Sequence, residues 1–177
     1  HIGIYLESSI KLKKFIIKNT EDEKFKDILE SIPELPLAER EIFKRITKKG
    51  EIKEQSIPEL KSIGIRLKKI KKGVEALAND YLKNESYRSF WQTDIPTERD
   101  GRLVLPLKSN FKGKIKGIVH EVSASGATVY LEPYDIVEKN NQIREVEGEY
   151  RKKVIEILKT ITLKITKNKE SIMNIMK

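Results

Sequence analysis

The sequence predicts a mainly α-helical protein in which two long helices form an elongated antiparallel pair that carries a small antiparallel β module at its tip. Two apolar stripes with helical spacing, within residues 60–81 and 143–165, predict the long helices. Between them, residues 93–133 carry Pro and Gly at short intervals among β-branched runs, a pattern typical of turns and strands. A long helix cannot bury its apolar stripe alone, so antiparallel packing of the two is the simplest arrangement.

Residues 1–50 form the first predicted division, a helical segment resembling a domain core. Apolar residues alternate with lysines in a helical pattern over residues 4–19. A second helix is predicted over residues 21–32, ending before Pro33, and a third from about Leu37 to Ile46. Lys49-Gly50 then closes the segment.

The first long helix has a clear predicted start, within a second division over residues 51–92. Ser56 and Glu59 have the spacing of a capping box, and Pro58 suits the first helical turn. The apolar seam that follows alternates steps of three and four, as in a helix packed along a partner: Leu60, Ile63, Leu67, Ile70, Val74, Leu77 and Tyr81.

The β module is predicted over residues 93–133, with three or four strands. Asp100-Gly101 before RLVLPL indicates a two-residue hairpin, because a type I′ turn needs positive φ at both central positions. KIKGIVHEVS and ATVYLEP predict two further strands, joined through Ser123 to Gly126. The second long helix then occupies residues 134–177, with its apolar stripe continuing to about Ile165.

Composition favours a soluble binding protein over an enzyme. A formal charge of +9 and a pI of about 9.5 favour a polyanionic partner, although a solvated basic surface remains an alternative. With no Cys and only His1 and His120, the chain lacks the residues for a disulfide or a zinc site. No apolar run approaches the roughly 20 residues of a membrane span, so we expect a cytoplasmic protein without membrane contact.

Catalytic motifs are also absent from the sequence. No stretch fits the phosphate-binding GxxxxGK[ST] loop, and no Ser–His–Asp set can be assembled from two histidines. Ser123 and Ser125 are interpreted as turn residues and His120 as a structural or surface residue. We therefore expect no catalytic residue, metal or cofactor in this chain.

Four lysines of the β module are the main binding candidates. Lys108, Lys112, Lys114 and Lys116 follow one another without an intervening acidic residue. If their segment is extended, the last three project to one face and can contact successive phosphates. Alternatively, they protect a sheet edge from association.

Two arginines and three aromatic residues extend this candidate region. Arg99 and Arg102 flank the hairpin turn and could join the lysines. Tyr87, Phe90 and Trp91 follow the first long helix, where packing between helices and sheet is favoured over base stacking.

The stretch ERDGRLVLPLKSNFKGKIKGIVHEVSASGATVYLEP, from Glu98, closely resembles the central signature of the second bacterial MutS paralogue family, MutS-two. In that family a DGR-[YL]-V-[LV]-P-[VI]-K stretch precedes G-[IV]-V-H-x-x-S-[AS]-[ST]-G-x-T-x-[FY]-[IL]-E-P. GEIKEQSIPEL, from Gly50, resembles its G-x-[IV]-x-D-x-A-S-x-x-L block, with Glu54 where Asp is common and Pro58 added. Asn140-Asn141 and Arg144 resemble the family's V-x-L-N-N-x-[LI]-R-E-L. The resemblance covers residues 50–165, and the N-terminal helices more weakly.

The resemblance implies that the long helices correspond to a MutS core and lever, and the β module to the clamp at the lever tip. It implies full-length homodimers with an ATPase domain that uses ATP and Mg²⁺, and often a small MutS-related nuclease domain. None of those catalytic parts lies in these residues, and the helical pattern is unfinished at residue 177, which predicts a fragment.

Three functions follow as hypotheses. The leading one is sequence-independent binding of branched DNA in suppression of recombination, through the four lysines with Arg99 and Arg102. A second is an arm that grips collided ribosomes with the same residues. A third is a coiled-coil scaffold without a polyanion role. Mismatch recognition is not expected, because the Phe-x-Glu motif of mismatch-repair MutS is not evident.

Overall fold

The computed structural model describes residues 1–31 and 36–175, and most of these residues are helical. One four-stranded antiparallel sheet accompanies the helices, which confirms the predicted mainly α composition with a small β module. The chain divides into two compact units, residues 1–61 with 151–177 and residues 62–150. Two long helices, α4 (Pro58–Lys83) and α5 (Tyr134–Lys167), contribute residues to both units. The predicted division into residues 1–50, 51–92, 93–133 and 134–177 remains a prediction.

The first unit contains the helices that precede α4 and the C-terminal part of α5. These are α1 (Ile2–Asn19), α2 (Glu23–Ser31), α3 (Pro36–Arg45) and, after α5, the short α6 (Lys169–Ile175). The buried apolar residues of this unit include Leu6, Leu29, Ile42, Ile57, Leu60, Ile157, Ile161 and Ile172. The three N-terminal helices were thus predicted correctly, while the predicted stop before Pro33 lies outside the described residues.

The start of α4 differs from the predicted capping box. The helix begins at Pro58, in the predicted first-turn position, so Ser56 lies two residues before its first residue. Its hydroxyl donates instead to the carbonyls of Lys44 and Lys53, at 2.8 and 2.7 Å. Ser56 therefore ties the α4 start to the end of α3, a contact that local spacing does not reveal.

The sheet of the second unit has the strand order β1-β2-β4-β3. The strands are β1 (Thr97–Arg99), β2 (Arg102–Lys108), β3 (Gly117–Val122) and β4 (Thr128–Pro133). Both β2 and β3 are antiparallel to β4, which lies between them, so they run in the same direction. Residues 109–116 must therefore return from one end of the sheet to the other, and we call them the crossing connection.

The β1–β2 hairpin closes as the sequence predicts. Arg99 pairs with Arg102, so Asp100 and Gly101 form the two-residue loop. Both have positive φ, 51° and 71°, which matches the type I′ turn.

The core of the second unit lies between the sheet and the two long helices. It joins residues of α4 and α5 to the strands and to Trp91: Val74, Ala78, Leu82, Trp91, Leu105, Leu107, Ile115, Leu131, Ile136 and Ile143. All seven residues of the predicted α4 seam are buried or half-buried. Side-chain contacts join Lys71 to Glu147 at 2.8 Å and Tyr81 to Asp135 at 3.0 Å, so the sequence directions of the two helices oppose each other within this unit.

Gly117 offers a direct test of the β3–β4 pairing. A Cβ on Gly117 would lie 2.8 Å from the carbonyl carbon of Glu132, which is backbone and cannot turn away. We expect Gly117→Ala to lower the free energy of unfolding by about 1–3 kcal/mol, measured by urea denaturation with Trp91 fluorescence. Gly148→Ala is the matched control, because nothing lies within 4 Å of its added Cβ. In a helix interior the control should gain up to about 1 kcal/mol, and equal effects of the two changes would contradict the packing described.

Candidate nucleic-acid interface

The crossing connection presents three of the predicted lysines to solvent. It is not the extended segment that the sequence analysis considered, because residues 109–111 form a 3-10 turn and residues 112–115 turn and bend. Ile115 is 7% exposed and packs into the core of the second unit. Lys112, Lys114 and Lys116 are nevertheless all exposed. Among residues 1–31 and 36–175, none forms an ion pair with these three lysines.

Lys108 lies at the end of β2 and is only half-exposed. Its Nζ donates a hydrogen bond to the backbone carbonyl of Ser89 at 2.9 Å. This bond places the segment Arg88–Phe90, a second 3-10 turn, beside the start of the crossing connection. The exposed Arg88 therefore lies near the lysines, and we call Arg88, Lys108, Lys112, Lys114 and Lys116 the basic surface. No local sequence pattern indicates Arg88, because 20 positions separate it from Lys108.

The two predicted arginines lie at the opposite end of β2. Arg102 begins this seven-residue strand and Lys108 ends it, so six steps of about 3.3 Å, a distance of about 20 Å, separate them. Arg99 is occupied by Glu121, with Nε 2.8 Å from Oε2, and its guanidinium lies 4.1 Å from the centroid of the Tyr130 ring. Arg99 remains a predicted contact, but its charge is already paired with Glu121, unlike the charges of Lys112, Lys114 and Lys116.

The proposed phosphate contact of Arg102 requires correction. The Arg102 side chain is buried, and its Nε lies 2.9 Å from both carboxylate oxygens of Glu132. A terminal nitrogen also donates to Asn141 Oδ1 at 2.9 Å. Because its charge and its donors are already used inside the protein, we remove Arg102 from the candidate interface.

Glu132 is the centre of the network that holds Arg102. Its side chain is fully buried, and it accepts from Asn140 Nδ2 at 2.6 Å in addition to Arg102. His120 Nε2 lies 2.5 Å from Glu132 Oε2, which agrees with the structural role predicted for this histidine. Burial raises the pKa of Glu132, but the hydrogen bonds from Arg102, Asn140 and His120 outweigh it and hold the pKa below the usual range.

The network also attaches the start of α5 to β2. The Asn140 amide pairs with the Leu103 backbone, accepting from its N–H at 3.2 Å and donating to its carbonyl at 3.0 Å. One turn further along α5, Arg144 donates to the carbonyl of Asp100 at 2.6 Å. Several residues that carry the family resemblance therefore take part in these contacts: Asp100, Arg102, His120, Glu132, Asn140, Asn141 and Arg144.

Four aromatic residues form a row beside the basic surface. Ring centroids are 6.2 Å apart for Tyr81 and Tyr87, 5.8 Å for Tyr87 and Phe90, and 4.3 Å for Phe90 and Phe111. Trp91 is separate from this row and buried, with its indole N–H donating to the Tyr81 carbonyl at 3.0 Å. The packing role predicted for Trp91 is therefore confirmed.

Residues 1–31 and 36–175 contain no group of three or more side chains arranged to hold a metal ion. Within the same ranges, no helix is both long enough and apolar enough to cross a membrane.

Comparison with known proteins relates the chain to MutS-like proteins. It is 36% identical to "Endonuclease MutS2" of Fusobacterium nucleatum over 97% of the chain and 24% of that relative. Proteins of the same name from Clostridium botulinum and Thermotoga maritima are 34% and 32% identical, over 94% and 91% of the chain and 21% of each relative. No family model matches the chain.

All three relatives carry the name MutS2, the family that the sequence motifs resemble. The chain spans about a quarter or less of the length of each relative compared.

Replacing Glu132 by Gln tests the buried network. The change preserves the shape of the side chain but leaves Arg102 buried without a counter-charge, and we expect a loss of about 3–5 kcal/mol in the free energy of unfolding. Glu121→Gln is the matched control, since it breaks the ion pair with Arg99 at a side chain that is 54% exposed. That control should cost less than about 1 kcal/mol. Urea denaturation followed by Trp91 fluorescence measures both, and similar losses would argue against a special role for Glu132.

The same variant predicts a pH dependence. The pKa of Glu132 is lower in the folded protein than the value of about 4.3 for an unfolded chain. Its stabilising contribution is therefore complete above about pH 5 and is lost as the pH falls through the folded pKa. The difference in unfolding free energy between wild type and Glu132→Gln should shrink as the pH is lowered from about 5 to 3. A difference that stays constant across this series would show that the carboxylate charge is not involved.

Proposed function

We propose that the chain is a non-catalytic part of a MutS2-like protein and contributes sequence-independent contacts to DNA. The observation that carries the proposal is the crossing connection, with three exposed lysines and no ion-pair partner for them among the described residues. No acidic residue occurs between Asp100 and Glu121, so no neighbouring carboxylate in the sequence offsets their charge. The relatives are named endonucleases, a name for proteins that act on nucleic acids.

The chemistry of these lysines suits a phosphate backbone better than base edges. A lysine ammonium is a compact charge on a flexible stem, so it contacts a phosphate without imposing the planar geometry of base recognition. Counterions released from the DNA on binding supply much of the affinity. The three lysines alternate with Gly113 and the buried Ile115, which keeps their stems on a connection fixed to the core.

The wider assignment follows the family likeness. In this proposal α4 and α5 act as the lever and the sheet as the clamp of a homodimer that holds branched DNA and suppresses recombination. Binding of ATP and Mg²⁺, and any nuclease chemistry, are assigned to parts of MutS2-like proteins outside these residues. The protein itself is assigned to the cytoplasm. A ribosome is the rival partner, because ribosomal RNA offers the same phosphates.

A triple variant tests the DNA contacts. We expect Lys112→Gln, Lys114→Gln and Lys116→Gln together to weaken duplex binding by the 177-residue chain and to flatten its salt dependence. Each lost phosphate contact should reduce the slope of log Kobs against log salt by about 0.9. Fluorescence anisotropy of labelled branched DNA across a salt series at low ionic strength measures this slope.

The matched control changes three exposed lysines of α4, Lys68, Lys69 and Lys72, to Gln. It removes the same net charge from the same unit but from a helix face. If both triple variants change the slope equally, binding follows net charge and the proposed interface is wrong. If wild type binds ribosomes but not branched DNA in the same buffer, the rival partner is favoured.

A further inference from the structure

Two short 3-10 turns meet at one end of the sheet. One is Arg88–Phe90, which precedes Trp91, and the other is Ser109–Phe111, which begins the crossing connection. The Phe90 and Phe111 rings are stacked, with centroids 4.3 Å apart and an angle of 16° between their planes. The bond from Lys108 Nζ to the Ser89 carbonyl, at 2.9 Å, fixes the two turns together. We call this pair of segments the turn pair.

The turn pair combines partly exposed rings with cations. Phe90 and Phe111 are each half-buried, and Tyr87 continues the row with its centroid 5.8 Å from that of Phe90. Arg88, the first residue of one turn, and Lys112, which follows the other, are both exposed. Trp91 and Leu107, by contrast, are 5% and 0% exposed in the neighbouring core. The rings of the turn pair therefore keep apolar surface at the solvent boundary, next to positive charge.

We propose that the turn pair binds unpaired bases of single-stranded nucleic acid. This inference rests on the proposed function, because the crossing connection supplies the adjoining phosphate contacts. Base stacking on an aromatic ring is sequence-tolerant, since every base has a π face, and basic side chains follow the backbone of the strand. A continuous duplex keeps its base faces inside its own stack. Duplex DNA can therefore use the lysines but not the rings, which gives the two ligands different requirements.

Phe111→Leu separates the two requirements. It keeps an apolar side chain against the core but removes the ring that can stack. We expect it to weaken binding of an oligothymidylate of about 12 nucleotides roughly 5- to 150-fold, while binding of a duplex of equal length changes by less than about twofold. Phe111→Tyr retains the ring and should bind the oligothymidylate as wild type does. Fluorescence anisotropy with the 177-residue chain at low salt measures both ligands.

Two controls separate stacking from folding and from general hydrophobicity. Trp91 emission and the urea midpoint report whether the core near Phe111 is intact, and Phe90→Leu is the second variant if Phe111→Leu lowers that midpoint. Phe25→Leu changes an aromatic residue of α2 that is 54% exposed, and it should leave both affinities unchanged.

The outcomes distinguish a failure of the stacking inference from a failure of the proposed function. If a folded Phe111→Leu or Phe90→Leu variant binds oligothymidylate as tightly as wild type, or loses affinity for both ligands equally, the stacking inference is overturned. The proposed function still stands in that case, provided that the lysine variant weakens duplex binding. If wild type binds neither ligand at low salt, both proposals fail.

Discussion

The buried carboxylate of Glu132 is the constraint on which the arrangement of the second unit depends. A fully buried carboxylate is costly to desolvate, so its partners must be in place whenever the protein is folded. Arg102 comes from β2, His120 from β3 and Asn140 from α5, while Glu132 itself lies on β4. One side chain thus fixes three strands and a helix in a single register, and we interpret its role as specifying this arrangement.

That constraint has consequences for the candidate interface. The crossing connection is tied at both ends to the residues that flank β4, the strand of Glu132. Ser109 N–H donates to the Ala127 carbonyl at 3.0 Å, and Tyr134 N–H donates to the Lys116 carbonyl at 3.4 Å. Ile115, one residue before its end, packs into the core. The lysines are therefore carried by a connection fixed at three points, which reduces the conformational freedom that binding would otherwise have to remove.

Local signals in the sequence predicted the elements well and their long-range contacts poorly. The Asp100-Gly101 hairpin and the α4 seam each depend on neighbouring residues, and both are present. Arg102 lies near the lysines in the sequence, which predicts a position on the surface. Its counter-ion Glu132 lies 30 residues further along the chain, so the local sequence does not indicate its burial. Ser56 had the spacing of a cap but found acceptors at the end of α3. The Phe90 and Phe111 pair is separated by 21 residues, so no local pattern indicates it.

The residues that carry the family resemblance and the residues that carry the proposed contacts are different sets. The quoted motifs stop at Lys108 and resume at Gly117, and four of their polar members, Arg102, His120, Glu132 and Asn140, belong to the buried network. Lys112, Lys114, Lys116 and Phe111 lie in the interval that the motifs leave open. Resemblance to these motifs is therefore a reason to expect the same frame in MutS2 proteins, because the frame residues Arg102, His120, Glu132 and Asn140 are motif positions. It is no reason to expect the same contact surface, which has to be argued from the exposed side chains of each chain.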